Sequence, residues 1–181
     1  MVSGSRIQRF TALFHYRWSA AVLAEMHRSS GCKFVTLVSR LSISRDSLRR
    51  TLDALIEQGW VLRNPGHGHP MRPEYILTAA GARLAPWCVR ICSALRMAGL
   101  EDVGFRKWSM PIVLGLREGQ RRFSEIKAFL PGLTARALTL ALKELSAAGL
   151  IERGISDGYP PASYYRLHPN MRTLKVVLDE F

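Results

Sequence analysis

The sequence has few cysteines, few acidic residues and no long hydrophobic run. Its three cysteines, Cys32, Cys88 and Cys92, are too few and too badly spaced for a disulfide framework or a zinc finger. No segment reaches the roughly 18 consecutive apolar residues that a membrane-spanning helix needs. The first residues also lack the apolar core of a secretory signal peptide. We therefore expect a soluble, cytoplasmic protein without a membrane partner.

The motifs that mark most enzyme active sites are missing as well. There is no glycine-rich phosphate loop, nucleophile elbow or metal-spaced carboxylate cluster. His67 and His69 could suggest a metal site, but no acidic or thiol ligand lies at a nearby spacing and zinc usually takes four ligands. We expect no enzyme activity, no catalytic residue, no bound metal and no cofactor, and we interpret the two histidines as polar loop residues.

Positive charge is abundant and spread along the chain. Lys and Arg number 26 against 14 acidic residues, a formal net charge of +12. Residues 1–80 carry 11 basic and 5 acidic groups, and residues 106–181 carry 12 and 7. Basic charge on two folded units suits a polyanion, because each neutralised phosphate releases counterions. The alternative is a basic protein kept soluble by self-repulsion.

The second half of the chain repeats the first half at an offset of 90 residues. Arg17-Trp18-Ser19 corresponds to Lys107-Trp108-Ser109. Further identical pairs are Leu48/Leu138, Leu52/Leu142, Leu55/Leu145, Gly59/Gly149, Arg63/Arg153, Pro70/Pro160, Tyr75/Tyr165 and Leu77/Leu167. A period this long indicates a duplicated domain rather than a solenoid repeat.

Apolar spacing predicts three helices in each copy. The first spans about 10–27 and 106–117, the second about 34–41 and 123–130, and the third ends near 58 and 148. Ser44 and Thr134 are placed to cap the third helix with a side-chain oxygen, and Gly59 and Gly149 are placed to end it.

After each of these glycines the pattern becomes alternating, which predicts a β-hairpin with a long tip. Three helices and a hairpin make a winged helix-turn-helix. The predicted fold is mainly α with small β-hairpin wings (α+β), with two tandem winged helix-turn-helix domains joined by a helical linker. The predicted boundaries are 1–80 for the first domain, 81–105 for the linker and 106–181 for the second domain. A shorter helix is expected over 170–181.

Motifs in both copies carry a family resemblance. The second copy contains Lys107-Trp108-Ser109, Arg122-Phe123-Ser124-Glu125-Ile126, Ala148 to Arg153 and Pro160 to Leu167. The first copy keeps Trp18-Ser19, Gln58 to Val61, Pro73 to Thr78 and Gly81. These segments resemble the HxlR-type branch of the MarR-like winged-helix regulators. The resemblance implies a bacterial-type transcription repressor or activator that binds DNA as a homodimer with one domain per subunit, whereas this chain holds two domains.

The third helix of a helix-turn-helix lies in the major groove with its outward side chains at base edges. We therefore predict DNA contacts from Ser44, Arg45, Ser47, Arg49 and Arg50 in the first copy, and from Thr134, Arg136, Thr139 and Lys143 in the second. For Leu140 we expect either contact with a thymine methyl group or packing against protein. Phosphate contacts are predicted around the second helix, from Arg40, Arg121, Arg122 and Lys127, and in the wings, from Arg63, His67, His69, Arg72 and Arg153. The alternative is that these residues form merely solvated helix faces.

Two different recognition helices on one chain can read two different half-sites. We expect a sequence-specific regulator that binds double-stranded DNA at a promoter or operator as an intramolecular pseudo-dimer, on an asymmetric site, in association with the nucleoid. Homodimerisation of the whole chain and contact with RNA polymerase are further partner hypotheses. A tandem winged-helix replication initiator and a chromosome- or polymerase-associated adaptor are the alternatives. Cys88 and Cys92 lie one turn apart on the predicted linker helix. They are interpreted either as small buried hydrophobic residues or as a redox-active pair.

Overall fold

A computed structural model describes residues 4–66, 68, 72–156, 159 and 161–181. The described residues form ten helices and two antiparallel hairpins, and none of these helices is both long and apolar enough to cross a membrane. In chain order the elements are α1 (Gly4–Leu13), α2 (Ser19–Arg28), α3 (Phe34–Leu41), α4 (Arg45–Glu57), β1 (Val61–Arg63), β2 (Tyr75–Leu77), α5 (Ala79–Met97), α6 (Glu101–Gly104), α7 (Ser109–Arg117), α8 (Phe123–Phe129), α9 (Ala135–Ala147), β3 (Ile151–Ile155), β4 (Ser163–Leu167) and α10 (Arg172–Asp179).

The chain divides into two compact units, each containing one copy of the repeat. The first-copy unit comprises Tyr16–Ala94 and Phe181, and the second-copy unit comprises the described part of Met1–His15 together with Leu95–Glu180. The second-copy unit is therefore built from two separate chain segments, and α1 contacts α7 within it. The domain boundaries predicted from the sequence, 1–80, 81–105 and 106–181, describe the repeat and its linker. The compact units divide the chain at other positions and do not test these boundaries, which stay a prediction.

The helices around the two tight turns lie where the sequence predicts them. Helices α3 and α8 match the predicted second helices to within one residue, and α4 and α9 end just before Gly59 and Gly149. Both glycines have a φ of +68°, a left-handed conformation that favours glycine and reverses the chain after a helix. The predicted closing helix is α10, with Leu174, Val177 and Leu178 buried.

The prediction of one first helix over 10–27 is wrong. The structure has two helices, α1 and α2, separated by turns between Phe14 and Trp18. The backbone N–H groups of His15 and Ser19 donate to carbonyls three residues back, at 3.2 Å each, instead of continuing the helical pattern. The physical reason is tertiary, because α1 belongs to the second-copy unit and α2 to the first-copy unit. The break between α1 and α2 coincides with the point at which the chain passes from one unit to the other.

Each hairpin has the same register in the two copies. Val61 pairs with Leu77 in the first hairpin and Ile151 pairs with Leu167 in the second. A single extra bridge extends each sheet, from Cys32 to Tyr75 in the first copy. Its counterpart in the second copy joins Arg122 to Tyr164, so the segment before α8 lies alongside β4. Alternation within the hairpins did not indicate this third pairing, because it is a single bridge rather than a strand.

The leucines predicted to face the core do so in both copies. Leu48, Leu52 and Leu55 on α4 are at most 1% exposed, and their counterparts on α9 are at most 2% exposed. Burying a leucine side chain contributes about 1.5–3 kcal/mol relative to leaving it in water. This burial fixes which face of α4 and of α9 remains outside, and thereby positions the candidate DNA-reading residues.

Candidate nucleic-acid interface

A tight turn joins the two helices of each helix-turn-helix and ends at a side-chain cap. In the first copy Ser42 has a φ of +50°, and in the second copy Gly132 has a φ of +81°. The predicted caps are confirmed: the hydroxyl of Ser44 accepts the N–H of Ser47 at 3.3 Å, and the hydroxyl of Thr134 accepts the N–H of Ala137 at 3.2 Å. A cap of this kind contributes about 1 kcal/mol and sets the residue at which the recognition helix begins.

The two recognition helices present the same pattern of exposure. From Ile43 to Leu55 and from Leu133 to Leu145, every residue has the same degree of burial as its counterpart 90 positions away. The buried positions face the core of each unit, and the remaining positions form an outward face along α4 and α9. The predicted reading positions Arg45, Arg49 and Arg50 lie on this exposed face. Arg136, Thr139 and Lys143 lie on the same face of α9.

The two outward faces carry different side chains. Between the start of each helix and its last core leucine, Leu55 or Leu145, every exposed position holds a different residue in the two copies. The corresponding pairs, first copy before second, are Arg45/Ala135, Asp46/Arg136, Arg49/Thr139, Arg50/Leu140 and Asp53/Lys143. Core positions require apolar side chains of similar size, whereas exposed positions place no such demand on the fold. The duplicated scaffold is therefore common to the copies and the outward surface is not.

Contacts within the first reading face are weak. The guanidinium of Arg49 lies 3.9 Å from the carboxylate of Asp46, and both side chains are well exposed. The Nε of Arg50 donates to the carbonyl of Asp46 at 3.4 Å. An exposed ion pair of this kind contributes between 0 and about 1 kcal/mol. The two arginines can therefore exchange these contacts for a ligand at little cost.

Arg40, predicted as a phosphate contact, is engaged within the protein. Its Nη1 donates to Glu25 Oε1 at 2.5 Å and to Ser29 Oγ at 2.6 Å. Hydrogen bonding to Glu25 raises the pKa of Arg40, and Glu25 itself is only 9% exposed. Arg40 thus neutralises a largely buried carboxylate of α2 from the end of α3. The sequence does not indicate this pair because its members lie fifteen residues apart, on two different helices.

The predicted phosphate contacts of the second copy lie at the start of α8. The backbone N–H groups of Arg121 and Arg122 both donate to Glu125 Oε2 at 2.8 Å, which leaves their side chains exposed. Lys127 is exposed one turn further along. The backbone hydrogen bond from Arg122 and, next in size, that from Arg121 lower the pKa of Glu125.

The lowered pKa of Glu125 predicts a pH-dependent contribution to stability. A carboxyl group whose pKa is lower in the folded state stabilises the fold at neutral pH, and this contribution is lost as the pH falls through the lowered pKa. We expect Glu125→Gln to be less stable than the wild type at pH 7 and the difference to shrink under acid conditions. Urea unfolding of both proteins from pH 7 down to pH 3 measures this. A difference that is constant with pH would contradict it.

The wing residues are placed at the two hairpins. Arg63 pairs with Glu74 at 3.2 Å across the first hairpin, and Arg72 is exposed beside it. In the second hairpin Arg153 Nη2 donates to Ser163 Oγ at 2.8 Å. His67 and His69 lie outside the described residues, so their predicted contacts stay predictions.

The linker cysteines are buried in α5. Cys88 has no exposed surface and Cys92 is 5% exposed, and neither forms a disulfide. Burial, and next to it the proximity of Cys92, raises the pKa of the Cys88 thiol well above its ordinary range. Because the thiolate is the reactive form, this environment favours the interpretation as small hydrophobic residues over that as a redox pair.

Both copies match the model of one known protein family. The model of the HxlR-like helix-turn-helix family matches residues 13–99 and, a second time, residues 103–181. The chain belongs to this family. The predicted family resemblance and the predicted tandem winged-helix fold are thereby confirmed. The compact units and the two family matches agree that this HxlR-like chain holds the domain twice.

Relatives of this HxlR-like chain are named HTH-type transcriptional regulators. It is 39% identical over 82 residues to YtcD of Bacillus subtilis, covering 45% of this chain and 64% of YtcD. It is 37% identical over 73 residues to a Methanothermobacter thermautotrophicus protein, covering 40% of this chain and 56% of that protein. It is 32% identical over 106 residues to sll1512 of Synechocystis, covering 59% of this chain and 76% of that protein. The chain thus spans less than two thirds of the first two relatives.

A solved structure also resembles part of the chain. The reduced form of the transcriptional regulator YodB from B. subtilis matches with a TM-score of 0.42 and 27% identity, covering 47% of this chain and 83% of YodB. The relatives named here are regulators, and the replication-initiator and adaptor alternatives gain no support from them.

Proposed function

We propose that this chain is a sequence-specific regulator of transcription that binds double-stranded DNA with both of its helix-turn-helix units. The observation that carries the proposal is the pair of recognition helices with the same burial pattern and different exposed side chains. The regulators named as relatives support the role in transcription. The protein would act as a binding protein and not as an enzyme, without a cofactor.

The exposed faces have the chemistry that base reading requires. Arg49 and Arg50 in the first copy and Arg136 in the second can each pair with guanine through two hydrogen bonds in the major groove. Leu140 is 57% exposed, which suits apolar contact with a thymine methyl group. Arg122, Lys127 and the wing arginines would hold the backbone phosphates and set the orientation of each unit.

Two unlike reading faces on one chain favour an asymmetric operator. A homodimer presents identical helices and therefore selects a palindrome, with half-sites about one helical turn apart. A single chain with α4 and α9 would act as a pseudo-dimer that reads two different half-sites at a similar spacing. This stoichiometry, one chain for each site, requires neither a second copy of the chain nor a contact with RNA polymerase.

Selection of bound duplexes from a random pool tests the proposal. We expect a two-part motif, with Arg49→Ala relaxing one half and Arg136→Ala relaxing the other, because each well-formed arginine–guanine pair discriminates by about 1–3 kcal/mol. Arg83→Ala is the matched control, because Arg83 is an exposed arginine of α5 outside both helix-turn-helix elements. It should leave the motif unchanged.

Three other outcomes would count against the proposal. A selection that returns only perfect palindromes would indicate dimerisation of the whole chain. A motif affected by Arg49→Ala alone would make the second copy a structural or partner-binding domain. No enriched motif would leave only non-specific DNA binding. The mass of the complex with a selected duplex, measured by light scattering, decides between one chain and two.

A further inference from the structure

A groove in the second-copy unit is lined by positive charge. It lies between the end of α7, the end of β4 and the start of α10, with a volume of about 370 Å³. That volume falls at the lower end of the range for small-molecule sites. The lining contains no acidic residue, and its cationic members are Arg117, Arg121, Arg166, Arg172 and Lys175.

Part of this charge is not neutralised within the protein. Arg117 pairs with Asp179 at 2.7 Å, and Arg166 pairs with Glu152 at 2.7 Å. Within the described part of the chain, Arg121, Arg172 and Lys175 take part in no ion pair within 4 Å, although Lys175 interacts electrostatically with Asp179 and Arg121 with Glu125. Like charges gathered around one groove repel each other, and an anion bound between them would relieve that repulsion.

The fold does not require these cations. At an offset of 90 residues, the positions in the first copy that correspond to Arg117, Arg166, Arg172 and Lys175 hold His27, Ile76, Ala82 and Ala85. Arg121 corresponds to Cys32, because the carbonyl of each accepts the N–H of the matching hairpin tyrosine. Both hairpins have the same register, so Arg166 and Ile76 occupy equivalent places in them. The cationic groove is therefore a property of the second copy and not of the winged-helix scaffold.

The groove lies away from the residues proposed to read bases, and of its lining only Arg121 is also a predicted phosphate contact. The N–H of His168, in its lining, donates to the carbonyl of Leu150 at 3.0 Å, just beyond the end of α9. Thr134 and Arg136 lie at the opposite end of this 13-residue helix, about 20 Å away at 1.5 Å per residue. The wing tip is also distant, because Leu167 pairs with the first residue of β3, at the base of the hairpin. A small ligand fits this place better than the DNA duplex that α9 would contact.

We propose that this groove binds a small oxyanion with several negative charges, of the phosphate-ester or polycarboxylate class. Arginine guanidinium groups match such oxygens through paired hydrogen bonds, and Lys175 adds a point charge. The first turn of α10 borders the groove at Met171, which caps the helix without a side-chain hydrogen bond. The binding of this ligand is independent of the proposed DNA-binding function.

Isothermal titration of the full chain tests this site, with pyrophosphate and citrate as separate probes at a constant ionic strength set by sodium chloride. We expect binding of at least one probe, and the preferred probe separates phosphate from carboxylate chemistry. Arg172→Ala/Lys175→Ala should weaken it about tenfold or more, because two charge-assisted contacts are removed. Both side chains are exposed, so the fold should tolerate their loss.

The exposed Arg83 provides the control for general electrostatic attraction. Arg83→Ala removes one positive charge from the first-copy unit and should change the affinity for the probe by less than about twofold. A similar loss with Arg83→Ala, or no binding of either probe by the wild type, would overturn the proposal. So would an equal loss of affinity for pyrophosphate and for duplex DNA in Arg172→Ala/Lys175→Ala, because the groove would then be part of a DNA surface.

Discussion

Phe10→Ala is expected to lower the free energy of unfolding of the second-copy unit by about 3–5 kcal/mol, the usual cost of removing a buried aromatic ring. Phe10 has no exposed surface, and its ring centroid lies 5.0 Å from that of Phe14. Helix α1 contacts α7, and Arg6 pairs with Glu118 at 3.3 Å just after α7 ends. The helix before the first repeat thus supports the second repeat.

Hydrogen exchange resolved by mass spectrometry can locate this effect. In Phe10→Ala the amides of α7 should lose protection, while those of α4 in the first-copy unit keep it. Arg9→Ala provides the matched control on the same helix, because Arg9 is exposed and surface substitutions usually change stability by less than about 0.5 kcal/mol. Loss of protection confined to α4, or equal in both units, would show that α1 does not belong to the second-copy unit.

Gly81→Ala is expected to destabilise the first-copy unit by about 3 kcal/mol, at the upper end of the usual cost of overpacking. A Cβ at Gly81 would lie 1.9 Å from the carbonyl oxygen of Trp60. That carbonyl cannot move away easily, because it accepts the N–H of Thr78 at 3.1 Å. The Thr78 hydroxyl in turn donates to the carbonyl of Gly59 at 2.6 Å and accepts the N–H of Gly81 at 3.1 Å.

The sign of the Gly81→Ala effect is informative. Alanine favours a helix over glycine by about 1 kcal/mol, so an unhindered position in α5 would become more stable. Urea unfolding and a thermal melt decide between the two results. Gly68→Ala is the matched control, since a Cβ there meets none of the described residues within 4 Å and the residue has no positive φ. Stabilisation by Gly81→Ala would show that α5 and the turn after α4 do not approach as closely as described.

Features governed by neighbours along the chain could be predicted from the sequence. Leu48, Leu52 and Leu55 repeat at helical spacing, and this spacing alone predicted the buried face of α4 and hence the exposed one. The caps at Ser44 and Thr134 and the helix ends at the two glycines follow from the conformations those residues prefer. Each of these signals acts within about one turn of helix, so the tertiary structure did not alter them.

Features that depend on distant parts of the chain could not be predicted in this way. Apolar spacing continues from α1 into α2, so the sequence predicted one helix where the structure has two. The phosphate contact of Arg40, expected from its place in α3, stays a prediction, but its hydrogen bond to Glu25 arises only because α2 and α3 pack together. The cationic groove brings together side chains from 117 to 175 that form no motif along the sequence.

The sequence by itself determined that this chain carries one winged-helix scaffold twice, with its helix ends and core leucines. The duplication at an offset of 90 residues and the identity of its core positions were sufficient for that, because helix capping is local and the apolar residues of a helix recur at a regular spacing. Only the tertiary structure decided that α1 supports the second copy, that Arg40 holds Glu25, and that five cations converge beside α10. Such arrangements depend on which distant segments meet in space. Apolar spacing and short motifs along the chain do not show which segments those are.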